Sequence, residues 1–173
     1  LFASRGFHAV SVRDIAAAVG IKDASLYNHF SGKQAIFDAI VRDALERTRR
    51  FFGERNILFD VSDDATPYEE MNAERMHEMV LPSFRYFFED PYMVRLRHLL
   101  VISQFESEEA GRVYRLVFVE QAHGSCSAPS FEHLMATGEF VRDDAAQMAV
   151  ELQGVPFMLM HAGLTWEEAE PRL

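Results

Sequence analysis

Apolar side chains recur at intervals of three and four residues along most of the chain, which is the spacing of one face of an α-helix. A long helix is predicted from about residue 33 to residue 52, with Ile36, Phe37, Ile40 and Ala44 on its buried side. The same periodicity predicts four later helices and a last long segment: 68–89, 91–105, 107–121, 131–136 and 144–161. Strand-like alternation and internal repeats are absent from the sequence. An all-α fold is therefore predicted.

Two short helices joined by a tight turn are predicted before the long one. Ser11 begins the first helix, with Asp14 in the position that completes a capping box, and Gly20 ends it. The second helix covers residues 24–30, and Asp23 is the expected cap. The apolar face of the first helix is predicted from four residues: Val12, Ile15, Ala16 and Val19. This layout is that of a helix-turn-helix, whose second helix enters the major groove of DNA.

The second short helix contains few residues with high helix propensity, so helix stability alone does not explain its composition. Leu26 and Phe30 lie one turn apart and are expected to anchor it to the core. The remaining polar or amphipathic side chains then face away from that core: Ser25, Tyr27, Asn28 and His29. They offer hydrogen-bond donors and acceptors to bases and phosphates.

The two ends of the sequence carry further signals. Residues 1–5 are typical of the end of a helix stopped by Gly6, so we expect the first helix to be truncated at its N-terminus. Asp143 is the expected cap of the last long segment, which we predict to be interrupted at Gly154 and Pro156.

The distribution of charge divides the chain. The net charge is −10, yet residues 1–50 hold 8 Lys and Arg against 5 acids, a balance of +3. The remainder holds 9 basic against 22 acidic residues, a balance of −13. A basic head on an acidic body is expected where one end of a protein meets phosphates. With a polar stretch at 60–67, the charges predict a DNA-binding domain at 1–52 and a second helical domain at 53–173.

Several classes of function find little support. The single cysteine, Cys126, and the scattered histidines lack metal-ligand spacing, so no metal or cofactor is predicted. No nucleophile–base motif favours an enzyme. No apolar run approaches the roughly 20 residues of a membrane span, and no signal peptide is visible, so a cytoplasmic protein is expected. A helical adaptor that binds other proteins without binding DNA stays as the alternative.

The N-terminal quarter of the chain closely resembles the DNA-binding domain of the TetR family of transcription regulators. The resemblance covers about residues 1–45 and rests on these segments: GF at 6–7, SVRDIA at 11–16, VGI at 19–21, SLYNHF at 25–30, and Lys33 with Ile36 and Phe37. It implies a regulator, usually a repressor, that binds operator DNA as a homodimer. It also implies a C-terminal helical domain that forms the dimer and encloses a small-molecule effector.

The resemblance also implies roles for single residues. Ser11, His29 and Lys33 fall on phosphate-binding positions, Arg13 on one that reaches a base or a phosphate, and Tyr27 on one that contacts a base methyl or the backbone. The complete expected DNA-binding set is Ser11, Arg13, Lys22, Ser25, Tyr27, Asn28, His29 and Lys33. Each also has a plain interpretation as a packing or solvated side chain. The chain departs from the pattern at Asp23 and Ala24, which offer bases little donor chemistry, so readout is expected from Lys22, Ser25 and Tyr27.

The body of the chain offers weaker signals. An apolar effector pocket is predicted from aromatic and methionine side chains: Met71, Met79, Phe84, Phe87, Phe88, Phe105, Tyr114 and Phe118. The alternative for such a stripe is ordinary core. One of Arg85, Arg95 and Arg97 is expected to orient an acidic group of a hydrophobic effector. The dimer interface is expected from 131–136 and 144–161, with a shared face listed as Gln147, Val150, Glu151 and Met158, where Gly154 permits close approach.

Overall fold

A computed structural model describes residues 1–55, 57, 71–105, 108–120 and 128–173. Every regular element in these ranges is helical, which confirms the all-α prediction. The ten α-helices of the described residues are α1 Phe2–Arg5, α2 Val12–Val19, α3 Asp23–Tyr27, α4 Lys33–Gly53, α5 Ala73–Glu89, α6 Pro91–Ser103, α7 Glu108–Arg115, α8 Ala128–Thr137, α9 Ala145–His161 and α10 Trp166–Ala169. A π-helical turn, Leu116–Glu120, continues α7, and a 3-10 turn, Glu170–Arg172, follows α10.

The beginning of the helix-turn-helix follows the sequence signals closely. Ser11 and Asp14 form the predicted capping box, and Gly20 ends α2 in the left-handed conformation with φ 77°. Two details were wrong. Asp23 lies in the first turn of α3 and Lys22 occupies the cap position without a side-chain hydrogen bond. Val19, the last residue of α2, is 65% exposed, so the buried face of α2 ends one turn earlier than predicted.

The C-terminal helix differs from its prediction in two ways. Asp144 caps α9, because its carboxylate accepts a hydrogen bond from the Gln147 amide at 2.9 Å. The Asp143 carboxylate instead accepts from the Asp144 amide at 2.8 Å, so Asp143 is not the cap. The predicted interruption is also wrong, since α9 runs unbroken through Gly154 and Pro156. Pro156 is buried, and packing of the helix outweighs the poor helix propensity of proline.

The chain packs into two compact units. The first combines Leu1–Thr48 with Pro91–Arg115, and the second combines Arg49–Asp90 with Leu116–Leu173. The division into domains at residues 52 and 53 stays a prediction. The inclusion of α6 and α7 in the first unit could not be read from the sequence.

Helix α6 supplies much of the core of the first unit. Met93 and Leu100 have no exposed surface, and Leu96 and Leu99 have 2% each. The end of α6 lies close to the turn after α1, because a Cβ atom added at Gly6 would come within 3.2 Å of the Ile102 side chain. Gly6 also has φ +79°, which favours glycine. The turn that leads into α2 is therefore held directly against α6.

The second unit has its own core. Helices α8 and α9 pack together, and Leu134 and Phe131 of α8 are buried. Phe87 of α5 lies 6.0 Å, ring to ring, from Phe118 of the π-helical turn, and Phe88 lies 5.7 Å from Trp166 of α10. Aromatic pairs at these distances and tilted angles are favourable beyond the area that they bury.

The described residues contain neither a metal-binding cluster nor a helix suited to span a membrane. No group of three His, Cys, Asp or Glu side chains in these ranges is placed to hold a metal ion. In the same parts of the chain, no helix combines the length and apolar character that crossing a bilayer requires. Cys126 and His123 lie outside the described residues.

Candidate nucleic-acid interface

The short helix α3 presents a polar surface supported by a single buried anchor. Leu26 is 8% exposed and Phe30, just beyond the helix, is half-buried. Tyr27 is 56% exposed although it is aromatic. The other side chains predicted to face outward are exposed as well: Ser25, Asn28 and His29. The buried face and the exposed face expected from the spacing are therefore both present in the structure. Contact of the exposed face with DNA stays a prediction.

The hydroxyl of Ser11 is engaged within its own helix. It accepts a hydrogen bond from the Asp14 amide at 3.1 Å and donates to the Asp14 carboxylate, which also accepts from the Ser11 amide at 2.8 Å. These hydrogen bonds hold the pKa of Asp14 below its usual range. A phosphate contact from the Ser11 side chain therefore requires its hydroxyl to turn away from Asp14.

An ion pair connects the first turns of α2 and α3. The Nε of Arg13 donates to the carboxylate of Asp23 at 3.2 Å. The Arg13 side chain remains 86% exposed and that of Asp23 44% exposed. The sequence indicated only a capping role for Asp23 and gave no sign of this ion pair, because ten residues separate the two partners and no helical spacing relates them.

Lys33 connects the start of α4 to the segment before α2. Its Nζ donates to the backbone carbonyl of Phe7 at 2.8 Å and to that of His8 at 3.3 Å. The ammonium also lies 4.4 Å from the centre of the Phe7 ring. An ammonium has three N–H donors, so two carbonyl bonds leave one donor for another acceptor. Lys33 thus has a structural role that the sequence did not reveal, and its predicted phosphate contact is neither required nor prevented by it.

The eight predicted DNA-binding residues all lie in the first unit, on α2, α3, the turns around them and the first residue of α4. Lys22 is exposed at the cap position of α3 and directly precedes Asp23 in the sequence. The structure therefore gathers basic, hydroxyl, amide and aromatic groups around one short exposed helix. This is the side-chain chemistry that contacts DNA backbones and base edges.

The predicted effector residues are not gathered in the same way. Five of them are buried in the second unit: Met71, Met79, Phe87, Phe88 and Phe118. Phe84 is half-buried there. Tyr114 is buried in the first unit, and Phe105, also in the first unit, is 89% exposed and therefore lines no enclosed cavity.

One of the three candidate arginines faces inward. Arg85 forms an exposed ion pair with Glu89 at 2.7 Å, and Arg95 is exposed. Arg97 is 6% exposed within the first unit. Burial lowers its pKa, and the nearby phenol of Tyr114 partly opposes that effect.

Comparisons with known proteins agree with this geometry. Residues 1–40 match the family model described as bacterial regulatory proteins, tetR family. The chain is 52% identical over 46 residues to the HTH-type transcriptional repressor KstR2 of Rhodococcus jostii, a segment that covers 27% of this chain and 22% of that repressor. It is 31% identical over 121 residues to KstR2 of Mycolicibacterium smegmatis, covering 69% of this chain and 51% of the relative.

A solved structure described as a transcriptional regulator of the TetR/AcrR family from Thermobifida fusca is 22% identical, with a TM-score of 0.45, and the match covers 93% of this chain and 78% of that one. The chain spans about half the length, or less, of the repressors that it matches. Residues 1–40 therefore carry the N-terminal domain of the tetR family of bacterial regulatory proteins.

Proposed function

We propose that this chain is a DNA-binding transcription regulator that represses transcription as a homodimer on a palindromic operator and is released by a small hydrophobic effector. The observation that carries the DNA-binding part is the exposed polar surface of α3 within a segment of charge +3. The relatives' names, which describe HTH-type transcriptional repressors, support repression.

The composition of α3 favours recognition over packing. Only Leu26 of its five residues is buried, so the fold itself places little demand on the others. Tyr27 presents a large aromatic ring and a hydroxyl group together on the exposed face of this helix. In a major groove the ring would contact thymine methyl groups, while the hydroxyl and amide groups nearby would contact base edges and phosphates.

The homodimer is supported by the exposed face of α9. Val150 is 62% exposed, Val155 42% and Met158 60%, and these residues follow the spacing of one helical stripe. A Cβ added at Gly154, on the same stripe, would meet no atom within 4 Å beyond its neighbours and the backbone of its own helix. A second copy related by twofold symmetry would cover this stripe with its own α9. One α3 helix reads too few base pairs for useful specificity, and two copies would supply two such helices.

The effector is supported by the composition of the second unit. Its buried residues include methionines, which adapt to ligands of different shape, and several aromatic rings. In one form of the dimer, the two α3 helices would be spaced wrongly for the grooves of the operator. A ligand that binds this form preferentially would increase its population and so lower operator affinity. A coupling free energy of about 1–3 kcal/mol is the usual scale for such effects.

The DNA-binding proposal is tested by selecting binding sequences from a random double-stranded DNA pool with the full chain. We expect enrichment of a palindrome whose half-sites lie about one helical turn, roughly 34–36 Å, apart. Tyr27→Ala should weaken binding to that sequence about tenfold or more. Phe105→Ala is the matched control, since Phe105 is an exposed aromatic residue of the same unit outside the motif. A pool without enrichment would exclude sequence-specific DNA binding and favour a protein-binding adaptor.

The homodimer is tested by light scattering at micromolar concentration. Met158→Glu places a charge on the exposed stripe of α9 and should produce monomers. Val141→Glu is the control, because Val141 is 87% exposed and lies outside the helices. A monomeric wild-type chain, or equal effects of both substitutions, would contradict the interface.

The effector is tested by a thermal-shift screen of hydrophobic metabolites, followed by electrophoretic shift assays on the selected DNA. Compounds that raise the melting temperature should reduce DNA affinity. Compounds that stabilise the chain and leave DNA affinity unchanged would contradict the switch but not the DNA-binding role.

A further inference from the structure

We propose that Asp23 is a positioning residue for base readout, which holds Arg13 so that its guanidinium reads a guanine and not a phosphate. The inference rests on the proposed DNA-binding function. It assigns a role to a carboxylate that otherwise looks unfavourable beside DNA, and it decides between the two contacts open to Arg13.

The ion pair lies at the beginning of α3. Asp23 is the first residue of α3 and Arg13 the second residue of α2. Their contact brings the guanidinium group of Arg13 to the beginning of α3. In helix-turn-helix proteins, the residues at this end of the second helix contact base edges.

The ion pair engages the Nε–H group of Arg13. This group donates to Asp23 at 3.2 Å, and the guanidinium carries four further N–H groups on its two terminal nitrogens. With Nε engaged, the terminal nitrogens point along the side chain in a planar fork. A fork of this kind donates two parallel hydrogen bonds to the O6 and N7 atoms of guanine in the major groove.

The ion pair also places a negative charge beside the guanidinium of Arg13. A carboxylate beside the guanidinium disfavours the approach of a second anion, so the pair is a poor partner for a phosphate. Guanine O6 and N7 belong to a neutral base and carry only partial negative charges, so the carboxylate repels them less than it repels a phosphate. Asp23 therefore biases Arg13 towards a base.

The exposure of the pair indicates when it acts. Ion pairs exposed to water contribute little to stability, and the Arg13 side chain is 86% exposed. When DNA covers the pair and excludes water, the same interaction strengthens. The long arginine side chain is then already oriented, which reduces the ordering cost of forming the base contact.

The experiment measures the preference for guanine at one position of each half-site. Wild-type protein and variants are titrated against the selected operator and against the same DNA with that G·C pair changed to A·T. We expect a preference of about 10- to 100-fold for guanine in the wild type, which is the scale of one bidentate base contact. Arg13→Ala and Arg13→Lys should abolish most of it, because lysine lacks the planar fork.

Asp23→Asn gives the decisive reading. We expect it to reduce the guanine preference about fivefold or more, while affinity for the A·T variant rises because a negative charge has been removed near phosphates. In an Arg13→Ala background, Asp23→Asn should leave the preference unchanged. Asp43→Asn, which removes an exposed carboxylate from α4, is the matched control and should leave the preference at the wild-type value.

The outcomes separate this inference from the proposed function. If Asp23→Asn raised affinity for both DNAs equally, or if Arg13→Ala kept the guanine preference, the positioning role would be overturned while DNA binding stood. Failure of the selection to enrich any sequence would overturn the proposed function itself. Arg13 is largely exposed and Asp23 partly exposed, and thermal unfolding of each variant verifies that the fold is retained.

Discussion

Helices α3 and α6 belong to the same unit but place opposite demands on their sequences. Six of the thirteen residues of α6 are buried, and Leu100 among them has no exposed surface. In α3 one residue of five is buried, and Tyr27 stands mainly in solvent. The side chains of α6 are therefore determined by packing, whereas most of those of α3 are free to serve a partner from outside. Substitutions in the two helices should accordingly separate stability from binding.

The largest effect on stability is expected from the core of α6. Leu100→Ala should lower the free energy of unfolding by about 2–5 kcal/mol, since it removes buried methyl groups and leaves a cavity. Urea denaturation measures the change. Ile102→Ala on the same helix is the control, because Ile102 is 43% exposed and should cost clearly less. Equal losses would show that burial in α6 is not what holds the first unit together.

The largest effect on binding is expected from α3. Tyr27→Ala should reduce affinity for operator DNA by about 1–3 kcal/mol, because a specific contact in the groove is lost. The free energy of unfolding should change by no more than about 0.5 kcal/mol, since the side chain is mainly exposed. A core-sized loss of stability with unchanged DNA affinity would reverse the roles assigned to the two helices.

A moderate effect is expected at the cap of α2. Ser11→Ala should lower the free energy of unfolding by about 1 kcal/mol, because the Asp14 amide loses its acceptor. Ser11→Gly should cost only a few tenths of a kcal/mol. If Ser11 also turns towards a phosphate, Ser11→Ala will weaken DNA binding beyond its effect on folding. An alanine variant as stable as wild type would show that the capping box contributes nothing.

The smallest effect is a dependence of stability on pH. The pKa of Asp14 is lowered in the folded protein, chiefly by the hydrogen bond from the Ser11 side chain. A carboxyl with a depressed folded pKa stabilises the fold above its ordinary pKa, and that stabilisation is lost as the pH falls through the folded value. Asp14→Asn should therefore be less stable than wild type at pH 7, with a difference that shrinks below about pH 4. Urea unfolding at several pH values tests this, and a constant difference would exclude the linkage.

Much of the candidate interface could be predicted because its signals are local. The Ser11–Asp14 box spans four residues, and the anchor at Leu26 fixes which side chains of α3 face outward. The Arg13–Asp23 pair could not be predicted in this way, because it joins residues that only the turn between α2 and α3 brings together.

Tertiary contacts and burial account for two further differences. Lys33 reaches carbonyls 25 and 26 residues earlier, and no periodicity of side chains indicates a backbone acceptor. Similarly, Pro156 remains helical because of its buried surroundings, although local propensity favours an interruption. Local patterns thus located the helices and the exposed face, while tertiary packing decided the partners of individual charges.

The salt dependence of binding tests whether the surface around α3 binds DNA through phosphates as well as bases. The dissociation constant for the selected operator is measured from low to physiological salt, for wild type and for Lys33→Ala. If Lys33 of each of two copies neutralises one phosphate, the logarithm of the binding constant should fall against the logarithm of salt with a slope of about −2 or steeper. Lys33→Ala should reduce the steepness of that slope by about 1 for each copy. A flat profile, or a slope that Lys33→Ala leaves unchanged, would exclude the predicted phosphate contacts.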